Sequence, residues 1–175
     1  MALITPKYLN QELAEKAALI AHQAVFGRGM DSRTYVPTKR TAYHLVILVP
    51  AMEDARAEDY PDWPNYPLQA HSLYETSCRD SEWTGPYDEI ARCKALQLWT
   101  DRADGSHAVT PHLLFPGDTP FWGGVKRHGI VVACSGVQPE FDRLMAGITA
   151  DTLIALALHA WKHDEPSREG QNFLV

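Results

Sequence analysis

"GGVKRHGIVVACSG" (residues 123–136) decides how this chain is read. Two glycines open it, an apolar run returns from His128-Gly129, and Ser135-Gly136 closes it just ahead of Pro139. A two-residue turn with Gly in second place predicts a β-hairpin whose arms are FWGGVKR and IVVACSG. Pro139, with Glu140 and Asp142 behind it, predicts a helix start, where proline suits the first position and carboxylates suit the dipole. The bare backbone at both ends of the hairpin has two readings. Gly123 and Gly124 either mark a bend or bulge in an edge strand, or leave room for a ligand or a neighbouring subunit. Ser135-Gly136 either caps the helix or offers backbone N–H groups to an anion.

On either side of the hairpin the pattern continues. "AYHLVILVP" (42–50) is a continuous apolar run rich in β-branched residues, which predicts a strand buried on both faces. Residues 5–26 predict a helix capped by Thr5, with Pro6 at its first position, an apolar face of Leu9, Leu13, Ala17, Ile20 and Ala24, and Gly27 and Gly29 at its end. "SLYETSC" (72–78) is a weakly alternating strand, and Pro86 opens a second helix over 86–101. Residues 103–120 read as loop, with one short apolar segment at 112–115. The last helix is expected to bury Phe141, Leu144, Met145, Ile148, Ala155 and Leu158, with a polar tail from about residue 162. Strands joined by a hairpin and flanked by helices predict an α+β domain with a mostly antiparallel sheet, spanning residues 1–175 as one unit.

Charge and composition narrow the partners. The net charge is −6 and no basic stripe is present, which speaks against nucleic acid or an anionic membrane surface as partner. The apolar runs "HLVILVPAM" and "LIALALHAW" are too short to span a bilayer, and the start "MALITPKYLN" lacks signal-peptide features. Cys78, Cys93 and Cys134 contain no CxxC pair, which points to reduced thiols and a cytoplasmic protein, with a Cys78–Cys93 bridge left open. Cys93 and Cys134 read as small buried hydrophobes.

Lys94 stands out because it falls on the apolar face of the second helix, four residues from both Ile90 and Leu98. Such a lysine either pairs with a carboxylate, Asp142 being the candidate, or meets a ligand carboxylate or acts in proton transfer. His107 and His112 lie in the loop before the hairpin and are candidates for an axial heme ligand or a general base. His44, inside an apolar strand, reads as a core histidine. His159 and His163 sit where the last helix is expected to fray, so no metal site is expected there. Residues 53–70 hold Glu53, Asp54, Glu58, Asp59 and Asp62 beside Tyr60, Trp63 and Tyr66. They read either as a solvated loop or as a site for a cation. No P-loop, GxSxG, HExxH or dinucleotide fingerprint occurs.

The ordered set Ile90, Ala91, Lys94 and Ala95, then Gly123, Gly124 and Val125, then Ser135, Gly136, Pro139, Glu140 and Asp142 resembles the GlcG/HbpS family, which includes the C-terminal domain of PduO. Order and spacing agree over about 75 residues. The chain departs from the family pattern at Lys126 (usually Pro), at Cys134 (usually Val) and at 53–70, an insertion where the family has a short turn. The resemblance implies a profilin-like α+β fold, a homo-oligomer, and a bound small molecule that is heme or a corrinoid such as cobalamin. The ligand is then expected between helix 86–101, the Gly-Gly hairpin and the Ser-Gly helix start. Its candidate residues are Lys94, Gly123, Gly124, Ser135, Gly136, Asp142, His107 and His112. Two other functions fit the same residues: a small-metabolite enzyme using Lys94 or a histidine in acid/base chemistry, and a non-catalytic oligomeric accessory protein.

Overall fold

The structure, a computed structural model, describes residues 3–27, 36–53, 68–106 and 110–164. Its elements in chain order are β1 (Leu3–Ile4), α1 (Gln11–Phe26), β2 (Tyr43–Glu53), β3 (Gln69–Cys78), α2 (Tyr87–Trp99), β4 (Gly124–Arg127), β5 (Ile130–Ser135) and α3 (Pro139–His163). β4 and β5 form the expected hairpin, with Gly124 opposite Ala133 and Arg127 opposite Ile130. At its turn both His128 (φ 49°) and Gly129 (φ 82°) are left-handed. Two such residues twist the chain the way paired strands need.

β2 is the spine of the sheet. It pairs antiparallel with β5 on one side and with β3 on the other, and two-residue β1 adds to its far end. The strands run in the order β4-β5-β2-β3, every pairing antiparallel. This is the expected α+β architecture, and it is consistent with a profilin-like fold. Because β2 carries apolar residues at successive positions, it serves both faces. Tyr43, Leu45, Ile47 and Val49 join Val132 and Cys134 in the larger core beneath α1 and α3. Val46 and Leu48 join Val131 and Ala133 in the smaller core beneath α2, against Ala91, Ala95 and Leu98. One helix therefore covers one face, and two helices packed on each other cover the opposite face.

Several expectations are corrected. α1 starts at Gln11, not at Thr5: Asn10 caps it, its side chain accepting from the Leu13 N–H at 3.0 Å. Ahead of that cap, residues 6–9 form a separate turn closed by the Leu9 N–H on the Pro6 carbonyl at 2.9 Å. The buried face of α1 is Ala14, Ala17, Ala18, Ala21 and Val25, while Ile20 is exposed. Small residues face inward because α1 lies close against α3. Pro86 is the N-cap of α2, so the helix begins one residue later than expected, at Tyr87, and ends at Trp99 instead of 101. α3 buries Met145, Ala146, Ala150 and Leu153, leaving Leu144 and Leu158 exposed. It stays helical through His163, and "LIALALHAW" is part of this longer helix. By length and composition alone α3 is long and apolar enough to cross a bilayer; in the fold it packs on α1, β4 and β5. The apolar segment expected at 112–115 begins as a short 3-10 turn, Pro111–Leu113. Of the insertion, Glu53 belongs to β2 and Gln69–Ala70 to β3. Its residues 54–67 lie outside the described residues, as do His107 and the tail beyond Asp164.

Candidate functional site

Lys94 is buried, 4% exposed, on the sheet-facing side of α2. Its ammonium donates to the Cys134 carbonyl at 2.8 Å and to Asp142 Oδ2 at 3.2 Å. Asp142, 3% exposed in the first turn of α3, also accepts the Val137 N–H at 3.1 Å through Oδ1. One ion pair thus ties α2, the end of β5 and the start of α3 together. Burial pushes the Asp142 carboxyl up to about 6, against the opposing pull of the Lys94 ammonium and the Val137 N–H. Burial, and then the Asp142 carboxylate, push the Cys134 thiol well up, so it stays a thiol and a poor nucleophile.

The glycines are explained by these neighbours. A Cβ on Gly123, whose φ is +130°, would lie 2.6 Å from Asp142 Cβ and 3.2 Å from Lys94 Nζ. A Cβ on Gly124 would lie 2.6 Å from a Leu98 methyl and 2.8 Å from the Val132 carbonyl oxygen. The backbone is bare there because side chains of α2 and α3 already lie against it. Gly136 (φ +127°) has the same need: a Cβ there would lie 2.5 Å from the Ala42 carbonyl oxygen and 2.7 Å from the Tyr87 ring.

In front of this junction opens a cleft of about 330 Å³. Lys94, Asp142, Ser135 and Gly136 line it, so candidates from α2, the end of β5 and the start of α3 converge. Gly123 and Gly124 are packed behind it. Arg40, Tyr87, Ile90 and Phe121 complete the walls. Arg40 and Phe121 were not legible as site residues. The one available signal is a cationic residue placed just before the central strand β2.

The histidines fall elsewhere. His112 is exposed on the 3-10 turn and does not line the cleft. His44 is a satisfied core histidine as expected, its Nδ1 2.9 Å from Ser77 Oγ and its Nε2 3.3 Å from Glu75 Oε2, with burial holding it below the usual imidazole range. Glu75 is held in turn by Arg92 at 2.8 Å. His159 and His163 stand on intact helix, not on a frayed end, with ring centroids 4.3 Å apart. Among the described residues no cluster of three or more metal-ligating side chains occurs. Cys78, Cys93 and Cys134 are all free thiols. The described lining holds no His, Cys or Met for axial ligation of a tetrapyrrole. No protein-family model, curated protein or solved structure matches this chain.

Proposed function

We propose that this protein binds a small molecule in the cleft between α2, the end of β5 and the start of α3, in the manner the GlcG/HbpS resemblance implies. The observation that supports the reading most is the convergence of Lys94, Ser135, Gly136 and Asp142 on one cavity of about 330 Å³. Concave, mostly apolar sites with a few converging polar groups are the usual form of small-molecule sites. A homo-oligomer and a cytoplasmic location belong to the same proposal. The test is an absorption titration with hemin and with cobalamin, run beside thermal-shift titrations with small carboxylates. Saturable binding that is weakened in Phe121→Ala, which removes an exposed wall of the cleft, supports the reading. Absence of binding by every probe sinks it.

The second reading is an enzyme, favoured by the buried carboxyl of Asp142 in the cleft lining, which burial pushes up to about 6. A group poised near neutrality suits general acid/base work. Incubation with small carboxylates in D2O tests it. Exchange of a C–H adjacent to the carboxylate, abolished in Asp142→Asn, supports the enzyme; no exchange in the wild type removes it.

A further inference from the structure

We infer that the cleft is built for a small monocarboxylate with an apolar or aromatic body, whose carboxylate is held by Arg40 and Ser135 while Lys94 is structural. This rests on the cleft being the binding site. Among the described residues three charged side chains line it: Arg40, Lys94 and Asp142. Lys94 and Asp142 satisfy each other, both almost fully buried, and Lys94 has a further acceptor in the Cys134 carbonyl. A ligand carboxylate at Lys94 must therefore compete with Asp142 in a site already desolvated, which is costly.

That leaves one positive charge unmatched. The Arg40 guanidinium makes no ion pair among the described residues, and it is exposed at the cleft. Ser135 is the second anchor. It is 4% exposed and lines the cleft, and its hydroxyl has no hydrogen-bond partner among the described residues. Among the described residues the one buried side-chain polar atom without a partner is Gln97 Oε1, so the Ser135 hydroxyl reaches the cleft solvent and is open to a ligand. A planar fork and a hydroxyl match a carboxylate.

The count of charge selects the class. With two cations and one carboxylate among the described lining residues, a single negative charge balances them. A phosphate dianion leaves one negative charge in excess beside Asp142. Tyr87, Ile90 and Phe121 supply the apolar walls. Phe121 is 56% exposed, which suits an aromatic ring at the mouth that gains a partner on binding.

Isothermal titration of the whole protein with benzoate and phenylacetate, with their neutral amides, and with inorganic phosphate tests this. Expected are saturable binding of a monocarboxylate, at least tenfold weaker binding of its amide, and no competition by phosphate. Arg40→Gln should weaken the carboxylate roughly 10- to 100-fold, the range of charge-assisted hydrogen bonds, with partial recovery in Arg40→Lys. Ser135→Ala should weaken it roughly 5- to 10-fold. Arg40 is on the surface, so its variants are read in folded protein, confirmed by an unchanged melting temperature. Equal affinity for acid and amide, equal affinity in Arg40→Gln, or tighter phosphate binding overturns the monocarboxylate. Binding of hemin or cobalamin without any monocarboxylate also overturns it while leaving the cleft reading intact. Failure of all probes removes both.

Discussion

Lys94 and Asp142 are the residues on which most depends, and their charge makes them testable. Removing one partner of a buried pair leaves the other desolvated and alone, which typically costs about 3–5 kcal/mol, whereas replacing both by neutral groups costs far less. Lys94→Met is therefore expected to destabilise by about that amount, and Lys94→Met with Asp142→Asn by clearly less than the sum of the single changes. Urea unfolding of the three variants checks it; additive losses would mean that the two groups do not interact. The pair also sets a pH dependence. The carboxyl of Asp142 is raised in the folded chain to about 6. Its contribution to stability is complete below the ordinary carboxyl range. It is lost as pH rises toward 6, because the unfolded chain releases that proton first. The stability of the wild type relative to Asp142→Asn should accordingly fall between about pH 4 and pH 6. A relative stability that rises over this window would show that the lysine, and not burial, dominates the carboxyl.

Among the elements, the hairpin and the way α2 lies on it make distinct demands on two glycines. Gly129 needs only its left-handed φ of 82°, and nothing lies within 4 Å of a Cβ there. Gly129→Ala should therefore cost about 1–2 kcal/mol, the penalty of that conformation for an L-residue. Gly124 needs space. Gly124→Ala drives a methyl into Leu98 and into the backbone of β5, and α2 must back away from the sheet. Overpacking of this kind costs about 1–3 kcal/mol, and here it should also loosen the core of Val46, Leu48 and Val131. Thermal unfolding measures both, and near-UV circular dichroism of Trp99, which packs on that core, separates them. An unchanged near-UV signal of Trp99 in Gly124→Ala would refute the packing account. The hairpin was legible because its cause is local: a two-residue turn between β-rich arms. The buried faces of α1 and α3 were not. Both helices are apolar on several sides, and which side is buried depends on the other helix and on the sheet.

Across the full domain, a doubly covered sheet predicts where the fold is last to open. β2 and β5 are central, paired on both sides and packed between helix layers. Their amides should exchange at rates set by global unfolding, while β1 and the 3-10 turn at Pro111–Leu113 exchange by local opening. Hydrogen exchange followed by NMR checks this, and early exchange in β5 would contradict the layered core. The α+β class, the hairpin, the doubly buried strand β2 and the helix start at Pro139 could all be read from the chain alone, since each follows from short-range pattern and turn chemistry. So could the oddity of Lys94, a charge on an apolar face. Whom these residues meet could be known only once the chain was folded. Asp142, 48 residues from Lys94, takes its charge. Leu98 and Asp142 fill the space beside the glycines, and Arg40, from the stretch before β2, arrives at the cleft. Those pairings depend on how far each helix slides and turns on the sheet, a balance of many small packing energies that no single stretch of sequence contains.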